Sequence, residues 1–173
     1  MILKERPTNQ QIWTWLDKVP DPEIPVISVT DLGIVRDVSW SDDTLVIKVT
    51  PTYSGCPATS IINFDIEVAL RNHGIDNLRI ERQLSPAWTS DWIKPEARDK
   101  LRQFGIAPPV SGTAADGNLL KCNAHSGGSN FSVACPHCNS TNTEKISQSG
   151  STACKASYRC KDCLEPFDYF KCI

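Results

Sequence analysis

Two cysteine pairs near the C-terminus, Cys135-Pro136-His137-Cys138 and Cys160-Lys161-Asp162-Cys163, constrain this chain more than any other feature. A CxxC turn holds two sulfurs on one side of a tetrahedral metal ion, and a second such turn completes the coordination. Residues 139–159 separate the pairs, enough chain for a β-hairpin to run out and return. Residues 132–173 are too few and too polar to build a core unaided. A metal ion would supply the missing folding free energy, on the order of 10–16 kcal/mol for structural Zn²⁺. The expectation is a β-rich zinc ribbon with Cys135, Cys138, Cys160 and Cys163 as ligands. Ligand spacing does not separate Zn²⁺ from iron in such a site.

The other cysteines fit that ribbon less directly. His137 lies between two ligands and is read as exposed, while Cys154 and Cys172 have no CxxC partner and read as small core residues or as substitute ligands. Cys122 and His125 form a CxxH pair with no two further donors close in sequence. With eight cysteines, two CxxC turns and no apolar leader at Met1–Pro7, reduced thiols in a cytoplasm are the expectation. No apolar run approaches the ~20 residues a membrane helix needs. The formal net charge is -2. Residues 132–173 carry Lys145, Lys155, Arg159, Lys161 and Lys171 against Glu144, Asp162, Glu165 and Asp168, and four thiolates on Zn²⁺ add further negative charge. Phosphate binding needs the opposite balance, so protein contact rather than nucleic acid is expected of the ribbon and its aromatics.

Upstream, residues 1–106 alternate helix and strand signals. Thr8 and Gln11 have capping-box spacing ahead of a stripe through Ile12, Trp15, Leu16 and Val19, and Pro20, Pro22 and Pro25 then stop the helix. Ile34–Trp40 and Thr44–Thr50 read as strands joined by Ser41-Asp42-Asp43. Residues 57–72 read as a helix whose apolar stripe takes in Ala58, Ile61, Ile62, Ile66, Ala69 and Leu70. Leu78, Ile80 and Leu84 mark a third strand, and Pro95 opens a last helix with Ala97, Leu101 and Phe104. Periodicity then vanishes across 107–131, which reads as a flexible linker rich in Pro, Gly and Ser. The layout is α+β: a domain over 1–106, the linker, and a ribbon over 132–173.

Candidate chemistry in the first domain centres on Cys56, in Tyr53-Ser54-Gly55-Cys56-Pro57 between a strand end and a helix start. A thiol there feels the positive end of the helix dipole, which favours thiolate and metal or sulfur chemistry. Read alone, Cys56 is equally a small buried residue. Asp21 and Glu23, in Asp21-Pro22-Glu23-Ile24-Pro25, are candidate metal or proton carboxylates, or turn residues that satisfy backbone amides, and Asp31-Leu32-Gly33 has the same ambiguity. Trp88 and Trp92 read as core cover, or as anchors for a partner. No phosphate loop, HExxH or GxSxG motif occurs, and the three histidines are scattered, so no catalytic residues are assigned and a stand-alone enzyme is not expected.

Three motifs in order, Asp21-Pro22-Glu23-Ile24-Pro25-Val26, Asp31-Leu32-Gly33-Ile34-Val35 and Thr50 through Gly55-Cys56-Pro57, make residues 9–105 resemble the metal–sulfur cluster biosynthetic family. Further stretches, Pro86-Ala87-Trp88-Thr89-Ser90-Asp91-Trp92, Gly150–Ala156 and the ending Glu165–Ile173, resemble the members of that family that accompany phenylacetyl-CoA epoxidase. The resemblance implies a small α/β domain of the iron–sulfur assembly type. It also implies a maturation role in aerobic phenylacetate degradation, with the oxygenase or reductase component of that di-iron monooxygenase as partner. On this reading Cys56 leads as a thiol that transiently holds iron or an iron–sulfur cluster, with Asp21 and Glu23 as supporting carboxylates. A non-catalytic structural subunit of the same complex is the alternative.

Overall fold

The computed structural model describes residues 6–53, 55–109 and 132–172. Most of the expected linker, with Cys122 and His125, lies outside the described residues. The chain forms two compact units, Met1–Ala87 and Trp88–Ile173.

In the first unit, α1 (Asn9–Leu16) begins with the foreseen capping box: Thr8 accepts from the Gln11 amide while the Gln11 side chain accepts from the Thr8 amide. Two of the helix's first free amides are thereby satisfied, and the buried stripe is Ile12 and Leu16. β1 (Val35–Ser41) and β2 (Thr44–Val49) form an antiparallel hairpin. Its two-residue loop sets Asp42 at φ 52°, where Asp is among the better tolerated side chains. β3 (Leu78–Arg82) pairs with β2 in parallel, giving the order β1-β2-β3. Parallel neighbours need a crossover, and α2 (Thr59–Arg71) provides it. Leu45, Ile47, Ile66 and Leu70 are fully buried.

α2 departs from its expected pattern in two ways. It starts at Thr59, so Cys56 and Pro57 belong to the turn that leads in rather than to its first turn. Ile61, placed on the buried stripe by sequence, is 52% exposed, because the inward rows run through Ala58, Ile62, Ile66 and Leu70. Leu84 lies beyond β3 and is exposed as well.

In the second unit, Trp88 is buried with its ring 6.1 Å from that of Phe170, the core-cover role. A single 3₁₀ turn, Ser90–Trp92, leads to α3 (Pro95–Gln103), whose first residue is proline. The following β4 (Ile106–Ala107) pairs in parallel with β7 (Pro166–Phe170), completing a four-stranded sheet in the order β4-β7-β6-β5, where β5 is Thr143–Ser147 and β6 is Lys155–Cys160. Residues 88–107, grouped by periodicity with the first domain, thus share a compact unit with the ribbon. Among the described residues no helix is long and apolar enough to cross a membrane.

Candidate functional site

Each CxxC pair forms the same local structure. The Cys135 amide donates to the Ser140 carbonyl at 2.9 Å, and the Cys160 amide donates to the Glu165 carbonyl at 3.0 Å, a bond across five residues in both turns. The residue after the second cysteine takes the left-handed conformation in both, Asn139 at φ 60° and Leu164 at φ 66°. Reversing the chain this tightly turns both sulfurs of a pair to one side. Asparagine tolerates that backbone, whereas leucine is strained in it.

The two turns face each other. Cys138 Sγ lies 3.5 Å from Cys160 Sγ, Cys135 Sγ lies 3.7 Å from Cys163 Sγ, and all four sulfurs are within 4.8 Å of one another. A disulfide would need about 2.05 Å, whereas the edge of a sulfur tetrahedron around Zn²⁺ is about 3.8 Å. The donor set therefore fits a tetrahedral ion, with Cys135, Cys138, Cys160 and Cys163 as its holders and no position left open for substrate. The Cys163 amide donates to Cys160 Sγ at 3.5 Å, and this bond leads the effects that bring the Cys160 thiol down to about 7, towards the thiolate a metal requires.

Asp162 braces the two turns from outside the ligand set. It accepts from the Ser140 hydroxyl and, at 2.7 Å, from Asn142 Nδ2, which holds its carboxyl below the usual range. Sequence reasoning passed over this brace; the available signal was a cluster of short polar residues just after one pair and inside the other. Cys135 and Cys160 also belong to an apolar cluster with Val133, Ala156, Tyr158, Phe167 and Tyr169, so the ligands and the small core are one structure. Cys154 is buried beside the Thr152 hydroxyl at 3.0 Å, and Cys172 packs at the cluster's edge, 3.2 Å from the Tyr169 hydroxyl. His137 is exposed and lies beside Gly105, where a Cβ would come within 3.3 Å of its ring at φ +89°.

The first unit holds a different kind of sulfur. Cys56 is half-buried and unbonded, and no other cysteine occurs in residues 1–106. Its amide donates to the Tyr53 carbonyl at 3.2 Å and its carbonyl accepts from the Thr59 amide at 3.2 Å, which sets it in the turn entering α2. Three enclosed oxygens in this part of the chain have no hydrogen-bond partner among the described residues: Thr50 Oγ1 just after β2, and Thr59 Oγ1 and Asn63 Oδ1 on α2. Thr59 and Asn63 are four residues apart in α2, so they lie along the same side of that helix. Buried polar atoms are nearly always paired, so each unpaired one calls for a reason, an unplaced water or ion among them.

Asp21 makes the turn. Its Oδ1 accepts from the Glu23 and Ile24 amides, both at 2.9 Å, and its own amide donates to the Ile27 carbonyl at 2.9 Å. Asp31 does similar work, exchanging bonds with Ser28, whose hydroxyl also meets Thr30 at 3.0 Å. Glu23 is half-buried in the same proline-rich turn.

Comparison with known proteins agrees with this two-part arrangement. A family model described as iron–sulfur cluster assembly protein matches residues 9–77, and one described as PaaD zinc β ribbon domain matches residues 120–171. A protein of Escherichia coli (strain K12), provisionally named as a subunit of 1,2-phenylacetyl-CoA epoxidase, is 48% identical over 96% of this chain and 94% of its own. An Fe-S protein maturation auxiliary factor of Porphyromonas gingivalis (strain ATCC BAA-308 / W83) is 34% identical over 54% of this chain and 90% of its own. The crystal structure of a DUF59 domain from Bacillus anthracis matches with TM-score 0.50 at 25% identity, covering 53% of this chain and 89% of that one. The chain belongs to the PaaD family, in which an iron–sulfur cluster assembly-type α+β domain is followed by a PaaD zinc β ribbon.

Proposed function

We propose that this protein is a non-catalytic maturation factor that delivers iron or an iron–sulfur cluster to a component of the di-iron phenylacetyl-CoA monooxygenase in aerobic phenylacetate degradation. The observation that carries the reading is Cys56, a lone half-exposed thiol at the entrance to α2 in a unit with no second cysteine. One thiolate on an open turn binds soft metal without enclosing it, which suits cargo that must leave again. The unpartnered oxygens of Thr50, Thr59 and Asn63 support a polar or ionic guest in the same region. Glu23 is the carboxylate we assign to assist the thiol, while Asp21 supports it by holding the turn. The names of the relatives, one an Fe-S maturation auxiliary factor and one an epoxidase subunit, point to the cargo and to the complex that receives it.

In this reading the ribbon carries a structural Zn²⁺ on Cys135, Cys138, Cys160 and Cys163, and the protein works in the cytoplasm on the oxygenase or the reductase. The test measures iron and acid-labile sulfide in each epoxidase component from cells carrying wild-type protein, Cys56→Ser, or none. Loss of metal from one component in both deficient strains is the expected result and names the client. Fully metallated components in the Cys56→Ser strain would sink the delivery reading.

A further inference from the structure

In the first unit, the chain just before α1, the β1–β2 hairpin and the link from α2 to β3 meet around an open cavity of about 210 Å³. Arg6, Pro7, Trp40, Asp43, His73 and Ile75 line it. Side-chain bonds fix these segments to one another. Asn9 Nδ2 donates to the Val38 carbonyl at 3.0 Å, and Asn77 Nδ2 donates to the Asp43 carbonyl at 3.2 Å. His73 is held as well: its Nδ1 lies 3.0 Å from the Ala69 carbonyl, which can only accept, and its ring packs 4.1 Å from that of Trp15. Cys56 precedes α2 and His73 follows it, so the cavity and the thiol lie beyond opposite ends of this 13-residue helix.

Two groups in the cavity wall lack what a guest would supply. Trp40 Nε1 is enclosed and has no hydrogen-bond partner among the described residues. An indole N–H only donates, and enclosed donors are nearly always paired. Arg6 lies over the Trp40 ring, 4.7 Å from its centroid, and its Nη2 donates to Asp43 Oδ1 at 2.8 Å. Stack and ion pair hold the guanidinium in place, while Nε and Nη1 make no hydrogen bond among the described residues.

We propose that this cavity binds a small carboxylate carrying one flat ring, a second site that does not depend on the delivery reading. The unmet groups are all donors, so the guest is an acceptor, and the guanidinium selects an anionic one. A carboxylate suits the planar fork of Arg6 and has a lone pair for the Trp40 N–H. Asp43 does not bar it. The Asp43 side chain is 94% exposed, so its pair with Arg6 is weak and occupies only part of the guanidinium. Size gives the ring: a cavity of about 150 Å³ takes benzene, and about 210 Å³ leaves room for the carboxylate too. Pro7, Ile75 and the face of His73 offer the ring apolar or flat surface, which a bare oxyanion would leave uncovered.

The experiment titrates benzoate into the full chain and follows the Trp40 indole N–H by NMR, its signal identified as the one missing from Trp40→Phe. A saturable shift with a dissociation constant on the order of 1 mM or below is expected. Calorimetry should show Arg6→Gln weakening benzoate by about tenfold or more and Trp40→Phe weakening it less, while Cys56→Ser binds as wild type. No shift of the Trp40 signal, or one that grows in proportion to benzoate without saturating, overturns the proposal. So does wild-type affinity in Arg6→Gln. Acetate binding as tightly as benzoate would remove the ring from the assignment, and benzamide binding as tightly would remove the carboxylate; either result overturns it. Client metal lost in Cys56→Ser with no benzoate bound by wild type leaves delivery standing and strikes out this site alone.

Discussion

The ribbon and the β2–α2 turn both place cysteine sulfur in tight reversals of the chain, but in opposite chemical situations. In the ribbon four sulfurs face one another within 4.8 Å, two of them inside an apolar cluster, and a Ser140–Asn142–Asp162 brace ties the turns together. At the other site Cys56 has no second thiol in its unit, is half open to solvent, and has unpartnered oxygens nearby along the chain. On the delivery reading, thiol number and enclosure separate the two: a closed set of four suits an ion kept as part of the fold, while a lone half-buried thiol suits cargo that can be passed on.

The sharpest way to break this comparison is to remove one buried ligand. Cys160→Ser should abolish tight metal binding and, with it, amide exchange protection in β5, β6 and β7, because the metal and the apolar cluster share residues. Protection should also fall in β4, which lies on the same sheet although it precedes β5 by more than 30 residues. Retained protection throughout would mean that the cluster holds the unit without metal. Cys56→Ser should show the reverse pattern: client metal lost, while melting temperature and bound ribbon metal stay as in wild type. A loss of stability there would return Cys56 to the role of a packed core residue.

Smaller effects sharpen the contrast between turn-making and chemistry. Asp21→Ala strands two amides, the part-buried one of Glu23 and the buried one of Ile24, and should cost about 1–3 kcal/mol in denaturant unfolding of the first unit. Asp21→Asn retains an acceptor oxygen and should recover much of that stability. If client metallation recovers equally, Asp21 acts through the turn; if it does not, the carboxylate charge itself matters. Least of all, Leu164→Gly should leave the metal-bound ribbon unchanged or more stable by up to about 1 kcal/mol, as strain at φ 66° is traded against glycine's greater freedom when unfolded. A marked loss would instead show that the exposed leucine side chain contributes contacts.

Much of the local structure was legible from residue order. The capping box at Thr8 and Gln11, the hairpin across Asp42 and Asp43, proline at the start of α3, and each CxxC pair of the gathered cysteines are all patterns within a few residues. The division of labour between the carboxylates was harder to read. A side chain that satisfies amides and one that binds metal look alike in sequence, and the bonds from Glu23 and Ile24 are what place Asp21 in the first role. Ile61 was misplaced for a related reason. Residues 58–70 contain enough apolar positions for two stripes, and periodicity does not say which one faces the sheet.

By itself, then, the sequence determined most of the helices and strands and the four cysteines that come together in the ribbon, because turns, caps and amphipathic repeats are decided by near neighbours. Tertiary structure decided the rest. It made β3 a parallel neighbour of β2, joined β4 to β7 across more than 55 residues, and turned Ile61, Phe64 and Val68 outward. Such pairings follow from which apolar surfaces can be buried together after the elements form, and that choice is made by the whole folded unit rather than by any short stretch of chain.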